Sequence, residues 1–120
     1  MKVLIADDSR VMRMIVVRAL RQAGYGDCVV VEAVDGRDAL SKVAEEQPDL
    51  VLSDWNMPEM TGLDLLSSLR QAGDDRPFGF VTSEGSDEMR SSAAREGALF
   101  LIAKPFSADT FRLALEPVLG

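Results

Sequence analysis

The chain has 120 residues, with 13 Lys and Arg against 20 Asp and Glu, a formal charge of −7. That balance argues against nucleic acid as a partner, which needs clustered Lys and Arg, and the length suits one domain, residues 1–120. No apolar run approaches a membrane span, the single Cys28 fits a reducing cytoplasmic setting, and the absence of histidine removes a phosphohistidine, a His base and most zinc sites.

Residues 2–6, KVLIA, read as a first strand that runs into Asp7 and Asp8. Met12, Ile15, Val16, Ala19, Leu20 and Ala23 then recur at helical spacing until Gly24 stops the helix. Residues 28–32 form a second apolar run, and 36–47 a second helix with Ala39, Leu40, Val43 and Ala44 on one face. The third strand, 50–53, ends at Asp54, with Asn56 two residues on. Residues 62–72 carry Leu65, Leu66 and Leu69. The fourth strand, 78–82, ends in Thr82, although Gly79 is an odd residue for a strand interior. The helix at 86–95 has the weakest apolar pattern, mostly Met89, Ala93 and Ala94. A fifth strand at 99–103 meets Lys104-Pro105, and a last helix at 107–116 starts at Ser107 and should end or kink at Pro117.

Strands alternating with helices predict one α/β domain with a parallel sheet covered on both faces. Runs such as KVLIA and DCVVVE suit strands buried on both sides. In a parallel sheet all carboxyl ends share one edge, where open α/β folds bind ligands. Asp7, Asp8, Asp54, Thr82 and Lys104 should therefore meet there. Each alone has a plainer explanation: a helix cap for Asp8, a turn for Asp54, a strand end for Thr82, a solvated charge for Lys104. Their coincidence points to a hard divalent cation bridging the carboxylates and to phosphoryl transfer, with Asp54 as the candidate nucleophile.

The set LIADDS at 4–9, LVLSDWNMPEMTG at 50–62, FVTSEG at 80–85 and AKPF at 103–106 resembles the receiver domain of two-component response regulators. The likeness covers the whole chain and is nearest to single-domain CheY-like chemotaxis regulators, which share DWNMP. It implies a flavodoxin-like, doubly wound, five-stranded parallel sheet of order 2-1-3-4-5 with five helices. It further implies that Asp54 is the phosphoacceptor, with Lys104 pairing the phosphoryl group and Thr82 moving in to hydrogen-bond it. Mg²⁺ would be held by Asp8, Asp54 and the Asn56 backbone carbonyl, with Asp7 acting through water. Asn56 and Glu84 would tune hydrolysis, Met57, Pro58 and Gly62 would shape the loop after Asp54, and Pro105 would follow a cis peptide. The phosphodonor would be a histidine kinase or histidine phosphotransfer protein. A downstream target would read the face of the fourth helix, fifth strand and fifth helix, residues 86–116.

One position departs from that pattern. Receivers usually place Tyr or Phe three residues before the lysine, and this chain has Leu101, with Phe100 turned to the other face by strand alternation. A smaller switch residue, or altered coupling to the partner surface, are both open. Among other functions, a haloacid-type phosphatase would want a second acid where Asn56 stands, and a flavodoxin would want a Ser/Thr-Gly-rich loop where DDSRVMRM stands. A receiver belonging to a larger regulator, and a binding module independent of phosphorylation, remain as alternatives.

Overall fold

A computed structural model describes residues 1–119. Five strands and five helices alternate: β1 (Lys2–Ala6), α1 (Arg10–Gln22), β2 (Val29–Ala33), α2 (Gly36–Glu46), β3 (Leu50–Ser53), α3 (Gly62–Gln71), β4 (Phe78–Thr82), α4 (Asp87–Arg95), β5 (Phe100–Ala103) and α5 (Ala108–Leu119). The strands form one parallel sheet in the order β2-β1-β3-β4-β5, as expected.

Side chains alternate across the sheet and build two cores. Leu4, Val51, Phe78, Phe80 and Leu101 face the layer that holds Leu65, Leu66, Leu69 and Ala93 of α3 and α4. Val3, Ile5, Leu50, Leu52, Val81 and Ile102 face Val16, Leu20, Phe111 and Leu115 of α1 and α5. Phe100 joins the second core and Leu101 the first, so the alternation expected at β5 holds.

The helix starts are set by side-chain caps. Ser9, Asp35, Thr61 and Ser86 each accept a hydrogen bond from the backbone N–H three residues on, at 2.7 to 3.2 Å. Such caps satisfy donors that the first helical turn leaves unpaired.

Several expectations need correction. The second strand begins at Val29 and the fifth at Phe100. β2 is not buried on both sides: it is an edge strand in which Val29 is 57% exposed and only Ala33 is buried. Ile15 and Ala44 point to solvent, because α1 and α2 bury narrower stripes than their apolar spacing suggests. Pro117 does not end α5, which continues to Leu119. Pro117 falls in the last turn, and the residue four before it, Leu113, is 65% exposed, so water can serve the carbonyl that proline leaves unbonded.

Gly79 now has a structural reason. A Cβ at that position would overlap the ring of Phe100, its β5 neighbour in register. The glycine is the socket for that ring. Gly79→Ala is therefore expected to destabilise the fold by about 1–3 kcal/mol, the usual cost of overpacking. Much of that loss should vanish in a Phe100→Ala background, and a double-mutant cycle in urea measures the coupling.

Candidate functional site

The site is a consequence of register. Ala6 and Ser53 stand opposite each other on β1 and β3, so the next residues, Asp7 and Asp54, leave the sheet at one level. The Asp54 N–H donates to the Ala6 carbonyl at 2.8 Å, carrying the pairing one step past the strand. On the other side, Thr82 faces Ala103 across β4 and β5, and the Lys104 N–H donates to the Thr82 carbonyl at 2.8 Å. The Lys104-Pro105 peptide is cis.

Asp7, Asp8 and Asp54 come together: one carboxylate oxygen from each lies within 4.8 Å of the others. Asp7 is buried, Asp8 exposed and Asp54 half-buried. Asp7 Oδ1 accepts from the Ser9 N–H at 2.9 Å, and Lys104 Nζ approaches Asp7 Oδ2 at 3.5 Å. Asp54 Oδ1 accepts from the Trp55 N–H at 2.8 Å, and the Ser53 hydroxyl donates to the Asp54 carbonyl at 2.8 Å. The Gly62 N–H closes the following loop onto the Trp55 carbonyl at 2.8 Å.

Thr82 is fully buried at the end of β4. Its hydroxyl accepts only a long contact, 3.5 Å, from the Glu84 N–H. Asn56 and Glu84 lie exposed on the loops that border the acidic cluster. Leu101 is buried on β5, with β4 between it and the strand that delivers Asp54.

The electrostatics of the cluster are those of negative charges short of a cation. Burial pushes the Asp7 carboxyl above the usual carboxylate range, and Asp54 and Asp8 push it further. The Ser9 N–H and Lys104 oppose that shift without cancelling it. An all-oxygen donor set carrying excess negative charge suits a hard divalent cation such as Mg²⁺, and the residues present fit that group.

Two arginine contacts had no signal in the sequence pattern, one at the acidic cluster and one away from it on β5. Arg13 of α1 donates to the Asp7 carbonyl at 2.7 Å and to Glu32 of β2 at 2.9 Å. Arg90 of α4 donates to the Leu101 carbonyl at 2.8 Å. Both partners are remote in the chain or belong to the backbone, so spacing carries no signal for them.

The response regulator receiver domain family matches residues 3–116. This chain belongs to that family. It is 39% identical to the chemotaxis protein CheY1 of Helicobacter pylori over 100% of this chain and 98% of that protein. It is 37% identical to a CheY homolog of Campylobacter jejuni, covering 100% of this chain and 93% of the relative. Among solved structures, the chemotaxis protein CheY4 of Vibrio cholerae superposes with a TM-score of 0.84 at 37% identity, over 98% of each chain. The chain is thus a receiver domain of the CheY-like chemotaxis kind, a signalling module of two-component phosphorelays.

A proton on Asp7 relieves the crowding, so the folded state binds it more tightly than the unfolded chain does. The sign follows: the Asp7 contribution to stability falls as pH rises through the ordinary carboxylate value to the raised folded one. Asp7→Asn is accordingly expected to raise the Tm of the chelator-treated protein at pH 7, by roughly 5 °C. The gain should largely vanish at about pH 3, below the ordinary Asp value of 3.8, where the wild-type carboxyl is mostly protonated in both states. Thermal denaturation at the two pH values checks it.

Proposed function

We propose that the protein is a phosphorylation-activated switch in which Asp54 accepts a phosphoryl group from the phosphohistidine of a partner kinase or phosphotransfer protein. The observation that carries this reading is the meeting of Asp7, Asp8 and Asp54 within 4.8 Å, with the Lys104 ammonium 3.5 Å from Asp7. An Asp54 carboxylate oxygen attacks phosphorus, the bond from phosphorus to the donor imidazole nitrogen breaks, and the neutral imidazole leaves. Water later attacks phosphorus, the bond to the Asp54 oxygen breaks, and inorganic phosphate departs. The protein's chemistry is confined to this phosphorylation of its own side chain and the hydrolysis of the resulting aspartyl phosphate.

Asp8, Asp54 and the Asn56 backbone carbonyl would hold Mg²⁺, which when bound supplies charge neutralisation for the phosphoryl group. Asp7 is suited to act through a water, since the Ser9 N–H and Lys104 already engage its two oxygens. Lys104 turns from Asp7 to the phosphoryl oxygens. Thr82, whose hydroxyl has only a long contact in the resting protein, turns to donate to another. Asn56 and Glu84, both exposed beside the cluster, set how readily water reaches phosphorus.

The downstream partner is proposed to read the α4–β5–α5 face, where Leu99 and Leu113 are 56% and 65% exposed. The acidic balance speaks against nucleic acid as that partner. Among the described residues no helix is long and apolar enough to cross a membrane, and the cytoplasm is the proposed location. Residues 1–120 are taken as one receiver domain, in keeping with relatives whose own lengths the chain spans almost fully.

Trp55 beside Asp54 is a built-in reporter. Mg²⁺ should change its fluorescence, and an acyl phosphate should change it again, with the added phosphoryl mass on the intact protein. Asp54→Asn should abolish the second change and the added mass. Absence of phosphoryl uptake by the wild type would overturn the reading. A phosphoryl half-life of hours would contradict the roles given to Asn56 and Glu84. Lys104→Ala is expected to slow phosphoryl uptake by about 10²-fold or more, the scale for removing one preorganised charge from a transition state; stopped-flow fluorescence measures the rate.

A further inference from the structure

We propose that the hydrogen bond from Arg90 to the Leu101 carbonyl is the link that ties the state of the phosphoryl site to helix α4, in place of a moving side chain at position 101. The proposal rests on the phosphorylation reading above and names how that site is coupled to the partner face. Leu101 itself is a poor mover. It is 8% exposed and belongs to the same core as Phe80 and Ala93, so its side chain is held from both the sheet and α4.

Its backbone offers the alternative. β5 is the edge of the sheet and pairs only with β4, so carbonyls on its outer side have no strand partner. Arg90 Nη1 reaches across from α4 and donates to the Leu101 carbonyl at 2.8 Å. α4 has a small apolar anchor: Ala93 is its only buried residue, with Met89 half-buried against the same core. One charge-assisted hydrogen bond is therefore a large share of what pins this helix to β5.

The same guanidinium lies against the loop that leaves Thr82. A Cβ on Gly85 would sit 3.2 Å from Arg90 Nη2, 3.6 Å from Leu101 Cδ2 and 2.9 Å from Ala103 Cβ. A continuous path results, from the Thr82 hydroxyl to the Glu84 N–H, through Gly85 to Arg90, and on to the Leu101 carbonyl. When Thr82 turns to the phosphoryl group it gives up the long contact with Glu84. The loop then shifts against Arg90, the bond to β5 opens, and α4 is released.

Hydrogen exchange of the α4 amides, read together with intact mass, tests this. In the wild type, Mg²⁺ and an acyl phosphate should add the phosphoryl mass and speed α4 exchange. Arg90→Ala is a solvent-side truncation that leaves the core filled. Without phosphodonor it should already exchange its α4 amides about 2- to 10-fold faster, the ratio set by one net hydrogen bond. Phosphorylation should then add little, while phosphoryl uptake at Asp54 stays at the wild-type rate. Gly85→Ala, which crowds both Ala103 of β5 and the same guanidinium from the loop, should produce the same early release. If both variants take up the phosphoryl group yet keep the wild-type resting exchange and the wild-type response, the link is overturned and the phosphorylation reading stands. If the wild type takes up no phosphoryl group, both fall.

Discussion

The site depends on the alignment of β1 with β3. Parallel pairing sets Ala6 against Ser53, and each strand's next residue is an aspartate. Because side chains alternate along a strand, a slip of one residue would turn the core face of a strand outward and separate the two carboxylates together. The same apolar residues that exclude water on both faces of these central strands, from Val3 to Ile5 and from Leu50 to Leu52, thus also hold the acidic edge in place. Packing and function share one register.

That alignment concentrates negative charge where the protein is partly dry. Asp7 is buried beside two other carboxylates, and its proton affinity rises for that reason. The fold tempers the charge with the Ser9 N–H, Lys104 and the Arg13 contact to the Asp7 carbonyl, and leaves the rest for a cation. A cluster of carboxylates short of charge partners is suited to the metal and phosphoryl group proposed for it.

The helices are held to the sheet unequally. α1 buries Val16, Ala19 and Leu20, and α3 buries Gly62, Leu65, Leu66 and Leu69. α4 buries Ala93 alone and is tied to β5 by a polar contact. A helix with so small an apolar anchor belongs to the low-stability end of the structure, where local shifts cost least. It stands beside the loop from Thr82, so the most movable helix adjoins the strand end that faces the chemistry.

Much of this was legible in the sequence, for physical reasons. Alternation of strand and helix patterns, capping residues and Gly stops depend on local backbone chemistry, and they located all ten elements within a few residues. The polar residues at strand ends needed only the rule that parallel strands share an edge, and Asp7, Asp8 and Asp54 do meet there. Burial is less readable: the apolar run of β2 suggests burial on both faces and the spacing of Ile15 and Ala44 suggests core, because composition does not say how much of a strand or how wide a helix face is covered. Gly79 was unexplained until Phe100 was seen lying in its place on the neighbouring strand. Arg13 and Arg90 were invisible because each binds a backbone carbonyl, which every residue possesses. The sequence by itself determined the elements and the set of candidate polar residues at the strand ends, since those follow from local propensity and side-chain type. Only the tertiary structure decided which backbone groups the arginines reach, since that depends on long-range packing.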